Sequence, residues 1–167
     1  MKKKKNQNNA LTKIKFTAPI IAGTLLMDQL TKIIILYSLS KEQIIHIFPF
    51  FNFVLTFNTG VSFGMFQSNG MLGFWLLIII ALSLCLWLCH AIHQSNNQFE
   101  HIAYSMIIGG ALGNVLDRFS YGGVVDFLQF HIKAYCWPSF NIADTAIVIG
   151  VALVLGNQTW HSFKKSH

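Results

Sequence analysis

Residues 71–90, MLGFWLLIIIALSLCLWLCH, carry no acidic or basic side chain except the terminal His90. A run of that length crosses a hydrocarbon core of ~30 Å as a helix. Three further apolar runs accompany it, at 17–37, 101–119 and 140–160. Only 11% of the residues are charged and the mean hydropathy is +0.51, whereas soluble domains are ~25% charged. With 167 residues there is room for one domain. The expected fold is a mainly α membrane domain of four transmembrane helices with a small extracytoplasmic β-hairpin.

The net charge of +6 suggests nucleic acid in a soluble protein. Here the charge gathers at the two ends, so no nucleic-acid partner is expected. Lys2, Lys3, Lys4, Lys5, Lys13 and Lys15 precede the first apolar run, and Lys164 and Lys165 follow the last. Lys41, Arg118 and Lys133 lie on the opposite side of a four-span chain. The positive-inside rule then places both termini in the cytoplasm and the connections 38–70 and 120–139 outside. Residues 1–15 read as an unstructured cytoplasmic tail. A cleaved signal peptide is the competing reading of 17–37. Asp28 and Lys32 in its centre, and the lack of an A-x-A site, speak against it.

Residues 46–66 differ in texture. Phe51, Phe53, Leu55 and Phe57 alternate with Asn52, Val54, Thr56 and Asn58, a period of two that predicts a strand. Asn58-Thr59-Gly60 is a turn signal, after which VSFGMF is expected to return as a second strand. The aromatic residues of this hairpin suit the membrane interface.

The chain has only four aspartates, Asp28, Asp117, Asp126 and Asp144, and all lie in or beside apolar runs. An Asp at the centre of a membrane helix costs roughly 2.5–3.5 kcal/mol on insertion scales, so such residues usually face a protein interior and serve a function. On the four-span topology all four fall in the outer half of the membrane or just above it. So do Asn58, Asn114, Arg118 and Asn141. Two adjacent carboxylates cannot both ionise cheaply. One keeps its proton while the other is charged, and such a pair works as acid and base on a single water.

Each residue also has a plainer role. Asn141 and Asp144 have the spacing of a helix N-cap with a first-turn acid. Asp126 stands in a glycine-containing loop, where Asp is a common turn residue. Asp28 and Lys32 are an i, i+4 ion pair. Asp117 and Arg118 are within reach of Asn114 at i, i+3 and i, i+4 and are expected to brace the site. Asn58 and Gly60 form the turn itself. Cys85 and Cys89 read as packing residues of an apolar helix, and no zinc spacing occurs among the cysteines and scattered histidines. No metal or cofactor is expected.

Five segments in order resemble lipoprotein signal peptidase, the signal peptidase II family of membrane aspartyl proteases. They are MDQLTK (27–32), NTGVSF (58–63), GGALGNVLDR (109–118), VVDF (124–127) and FNIADT (140–145). The resemblance spans about residues 20–155. It implies that Asp126 and Asp144 are catalytic, and that Asp28, Lys32, Asn58, Gly60, Asn114, Asp117, Arg118 and Asn141 support them. It implies a substrate too: a prolipoprotein carrying diacylglycerol on the cysteine after the scissile bond, presented from the lipid of the outer leaflet of the cytoplasmic membrane. The enzyme is expected to act as a monomer.

Other classes fit less well. In a proton-coupled transporter or channel the aspartates would be relay sites, but no acid lies deep in the inner half to complete a path. A non-catalytic scaffold leaves the convergence of polar residues unexplained. One departure from the family pattern is Val61-Ser62, where small residues, often Ala-Ala, are usual. If Val61 narrows the pocket for the residue before the scissile bond, a cleavage panel varying that residue will show an altered preference.

Overall fold

The computed structural model describes residues 2–41, 43–60 and 70–165. Four helices, α1 (Lys2–Ser38), α2 (Gly70–Gln94), α3 (Gln98–Tyr121) and α4 (Ile142–Lys165), form the bundle. A four-stranded antiparallel sheet in the order β1-β2-β3-β4 sits at one end of it, with β1 (Ile45–Phe48), β2 (Phe51–Asn58), β3 (Val124–Ile132) and β4 (Tyr135–Cys136). The protein is therefore a mainly helical membrane domain with a small sheet.

Among the described residues three helical segments are long and apolar enough to cross a membrane: Ala10–Ser38, Gly70–Gln94 and Ile142–Trp160. Their outer surfaces present Met27, Ile34, Leu72, Leu86, Val148 and Leu155, each more than half exposed. Exposed apolar surface on that scale marks a lipid-facing wall. α3 occupies the expected third run but is not apolar enough to join the three. It holds Glu100, His101, Asn114, Asp117 and Arg118, and it packs against each of the other helices. A helix surrounded by protein can carry polar residues that lipid would not accept.

Small residues bring the helices together. A Cβ on Gly109 would lie 2.7 Å from Thr24 of α1, and one on Gly113 would lie 2.5 Å from Asp28 Oδ2. A Cβ on Gly110 would meet the Ala143 carbonyl of α4 at 2.5 Å. The G-x-x-x-G of α3 thus seats α1, and its neighbour Gly110 seats the start of α4. Cys85, Leu88, Ile92, Ile107, Ile108 and Ala111 make the core between α2 and α3. Cys85 packs as expected, whereas Cys89 is exposed. At the far end from the sheet, Lys13 Nζ donates to the His93 and Ser95 carbonyls at 2.8 and 2.5 Å.

Three expectations need correction. α1 begins at Lys2 rather than after an unstructured tail of fifteen residues. Lysine is a good helix former, and extending a helix that is already nucleated costs little per residue. A first hairpin turn falls at Pro49-Phe50, between β1 and β2, ahead of the one expected at Asn58-Thr59-Gly60. Proline lacks the N–H that a strand needs, which stops pairing there. The expected return strand at 61–66, with Val61 and Ser62, lies outside the described residues. Finally, 120–139 is not simply a loop. Gly122, at φ 74°, ends α3 in the left-handed conformation, and the chain then enters β3. β3 pairs with β2, placing Thr56 opposite Asp126.

The close approach at Gly113 gives a direct test. Asp28 is held by other bonds and cannot withdraw from a new methyl group. Gly113→Ala is expected to destabilise the fold by roughly 1–3 kcal/mol. Gly23→Ala, where a Cβ meets nothing within 4 Å, is expected to be neutral or stabilising by up to ~1 kcal/mol. Thermal unfolding of both variants in detergent checks the contrast.

Candidate active site

The site begins with a buried cation. Lys32 of α1 is 1% exposed, and Asp28 and Asp117 are completely enclosed. Lys32 Nζ lies 2.6 Å from Asp28 Oδ2, 2.7 Å from Asp117 Oδ2 and 3.3 Å from Asn114 Oδ1. An ammonium has three hydrogens, and these three acceptors use them all. The expected i, i+4 pair is present. Its second carboxylate comes from α3, 85 residues away, and the sequence reading did not foresee that partner. Gln29, which the sequence reading also passed over, donates to Asp28 Oδ2 at 3.1 Å and to Asp117 Oδ1 at 2.9 Å.

Both carboxylates also hold backbone. Asp28 Oδ1 accepts from the Ala143 N–H at 2.9 Å, so α1 caps the first turn of α4. Asp117 Oδ2 accepts from the Val125 N–H at 3.0 Å, which fixes the start of β3 against α3. Asp117 does not turn to Asn114 as expected. Arg118 does reach that residue, donating from Nη1 to the Asn114 carbonyl at 3.0 Å.

Two amides carry this order outward. Asn114 Nδ2 donates to Asp144 Oδ1 at 2.8 Å. Asn141 is fully buried, and its Nδ2 donates to Asp126 Oδ1 at 2.8 Å and to Asn114 Oδ1 at 3.2 Å. Its Oδ1 accepts from the Asp144 N–H at 2.9 Å, while its own N–H meets Asp144 Oδ2 at 3.3 Å. That reciprocal pair is the N-cap expected from the spacing. The same asparagine therefore touches both Asp126 and Asp144. On the other side, Asn58 Nδ2 donates to Asp126 Oδ2 at 3.2 Å, and the Gly60 N–H holds Asn58 Oδ1 at 3.1 Å.

The structure thus joins all ten residues singled out from the sequence in one bonded network. The four oxygens of Asp126 and Asp144 each accept one N–H. Among the described residues neither carboxyl bonds directly to a cation. Asp126 is 2% exposed. Burial, together with the charge of Asp144, pushes its pKa up to about 7, against the opposing pull of Asn58, Lys32 and Asn141. A carboxylic acid in that state holds a proton near neutrality.

Beside Asp144 lies a groove of about 430 Å³ lined by Phe140, Thr145, Ile147, Val148 and Ile149. Among the described residues no group of three or more His, Cys, Asp or Glu side chains has the arrangement to hold a metal ion.

A family model described as signal peptidase (SPase) II matches residues 20–159. The chain belongs to the signal peptidase II family. It is thereby a membrane peptidase by descent. The lipoprotein signal peptidase of Azoarcus sp. is 40% identical over 140 residues, covering 83% of this chain and 80% of its own. That of Rhodopseudomonas palustris is 41% identical over 150 residues, covering 81% and 88%. A bacterial membrane enzyme solved by the in meso method at 2.3 Å resolution superposes with a TM-score of 0.81 at 30% identity, covering 91% of this chain and 92% of that one. All ten residues of the bonded network fall inside the segment that matches the signal peptidase II model.

The Lys32 centre supplies a stability test. Removing the cation leaves two buried carboxylates facing each other. Lys32→Met is expected to cost about 3–5 kcal/mol. Adding Asp117→Asn to Lys32→Met should recover part of that loss. Unfolding midpoints of the single and double variants in detergent measure both effects.

Proposed function

We propose that this chain is an aspartic endopeptidase of the cytoplasmic membrane that removes signal peptides from prolipoproteins. Asp126 and Asp144 together activate one water. The observation that carries this reading is the Asn141 side chain, bonded to Asp126 through Nδ2 and to the Asp144 N–H through Oδ1. That bridge ties both aspartates to one asparagine, and among the described residues neither carboxyl forms a direct ion pair.

The chemistry follows from their states. Asp126 holds a proton near neutrality, and this reading gives Asp144 the role of the charged partner. The water gives a proton to Asp144 as its oxygen attacks the scissile carbonyl. Asp126 donates its proton to the developing oxyanion and then, through exchange within the pair, a proton reaches the leaving amine. As the C–N bond breaks, a hydroxyl of the tetrahedral diol returns its proton to the pair, so the two carboxyls end with one proton between them, as they began. Because the groups are coupled, the proton belongs to the pair rather than to one residue.

The curated relatives are named lipoprotein signal peptidases, and that is the substrate class proposed here. The scissile bond precedes a cysteine carrying diacylglycerol. The apolar groove beside Asp144 suits either the lipid or an apolar side chain next to that bond. The lysines at both ends of the chain support four spans, cytoplasmic termini and a site on the extracytoplasmic side. The network is complete within one chain, which supports a monomeric enzyme.

The test is cleavage of a diacylglyceryl-modified prolipoprotein in detergent or lipid, with the unmodified precursor as control. Wild type is expected to cleave the modified form. Asp126→Asn and Asp144→Asn, which keep shape but remove the shared proton, are expected to lose at least about 10²–10⁴ in rate. Near-full cleavage by either folded variant would show that its carboxyl is structural.

A further inference from the structure

Asp126 is also held by its backbone. Thr56 stands opposite it in the β2–β3 register. Thr56 Oγ1 donates to the Asp126 carbonyl oxygen at 3.2 Å and lies 2.6 Å from Ser139 Oγ. A threonine hydroxyl has one hydrogen, and here it goes to the carbonyl. Ser139 must therefore donate to Thr56. The bonds run in one direction, from Ser139 to Thr56 to Asp126, and such chains strengthen one another.

Ser139 lies two residues before Asn141. Between them Phe140 is tied to β3: its N–H bonds to the Leu128 carbonyl at 2.9 Å, and its own carbonyl accepts from the Phe127 and Leu128 N–H groups at 3.0 and 2.8 Å. The stretch 139–141 therefore grips β3 three times. Ser139 reaches the Asp126 backbone through Thr56, Phe140 pairs with the strand, and Asn141 holds the Asp126 carboxyl. Asp144 follows in the next turn. Thr56 is exposed and Ser139 half-buried. Water competes for such a bond, so it contributes little to global stability. What it fixes is the place of β2 and Asp126 relative to the start of α4.

We propose that the Thr56–Ser139 hydroxyl pair is a positioning device that clamps β2 to the segment before α4 and thereby sets Asp126 against Asp144. It rests on the reading of those aspartates as the reacting pair. The two residues act through Asp126 and do not themselves react. A displacement of the order of 1 Å in a catalytic constellation can cost ~10²-fold in rate.

The experiment measures kcat and KM for prolipoprotein cleavage in wild type, Thr56→Val, Ser139→Ala, the double variant and Thr56→Ser. Each single hydroxyl deletion is expected to lower kcat by about 3- to 30-fold with KM nearly unchanged. The double variant should be no worse than the weaker single variant, because both break the same chain of bonds. Thr56→Ser should recover most of the kcat. Unfolding midpoints of the folded variants should stay close to wild type. Wild-type kcat in both single variants overturns the proposal, as do losses that multiply in the double variant. A rise in KM alone also overturns it, since that marks a substrate contact. If Thr56→Val does not fold, Ser139→Ala decides by the same criteria. Normal kcat in the hydroxyl variants, in a protein that Asp126→Asn inactivates, sinks the clamp and leaves the function standing. Wild type that cleaves no prolipoprotein sinks both.

Discussion

The ammonium of Lys32, enclosed between Asp28 and Asp117, is the contact on which the rest of the site depends. Burying charge is expensive, and a buried pair repays its desolvation only when every donor and acceptor is matched. Here each carboxylate does a second task. Asp28 holds the N-terminus of α4 and Asp117 holds the start of β3. One cation from α1 therefore fixes the two elements that carry Asp144 and Asp126. The cost of three buried charges is offset by converting them into a joint among three helices and a strand.

Partner type separates Asp28 and Asp117 from Asp126 and Asp144, the pair proposed to react. Asp28 and Asp117 share a cation at 2.6 and 2.7 Å. Asp126 and Asp144 are met by amide donors from Asn58, Asn114 and Asn141. Amides orient a carboxyl without neutralising it. Burial and the charge of Asp144 outweigh the pull of Asn58, Lys32 and Asn141 and favour a retained proton on Asp126. The same residue type thus meets two kinds of partner within one network. Gly113 makes that network possible, because its missing side chain is the space that Asp28 occupies.

Much of this was legible in the sequence, for local reasons. Three spans announced themselves by length and apolarity. Asp28 and Lys32 sit one helical turn apart, and Asn141 and Asp144 have capping spacing. These are short-range relations that periodicity can report. What was not legible depends on chain folding over long distances. Nothing local joins Lys32 to Asp117, or Thr56 to Ser139. Gly122-Gly123 reads as loop in the sequence, yet those glycines end α3 and let the chain enter β3. The turn signal at Asn58-Thr59-Gly60 is strong, but Pro49 already reverses the chain ahead of it. Asn58 instead ends β2 with its amide on Asp126, a role that depends on β3 lying alongside.

The central claim is that Asp126 and Asp144 share one proton and that cleavage requires it. The pH dependence of kcat/KM for wild type tests this most directly, because that profile reports ionisation in the free enzyme. The proton on Asp126 is retained below about pH 7. As pH rises through that value the proton leaves, both carboxyls become charged, and no acid remains for the leaving group. The account predicts an alkaline limb centred near 7, with activity falling about tenfold for each further pH unit. A profile that stays level to about pH 9 would contradict it, because an enzyme needing a carboxyl proton cannot keep its rate two units above the pKa of that group.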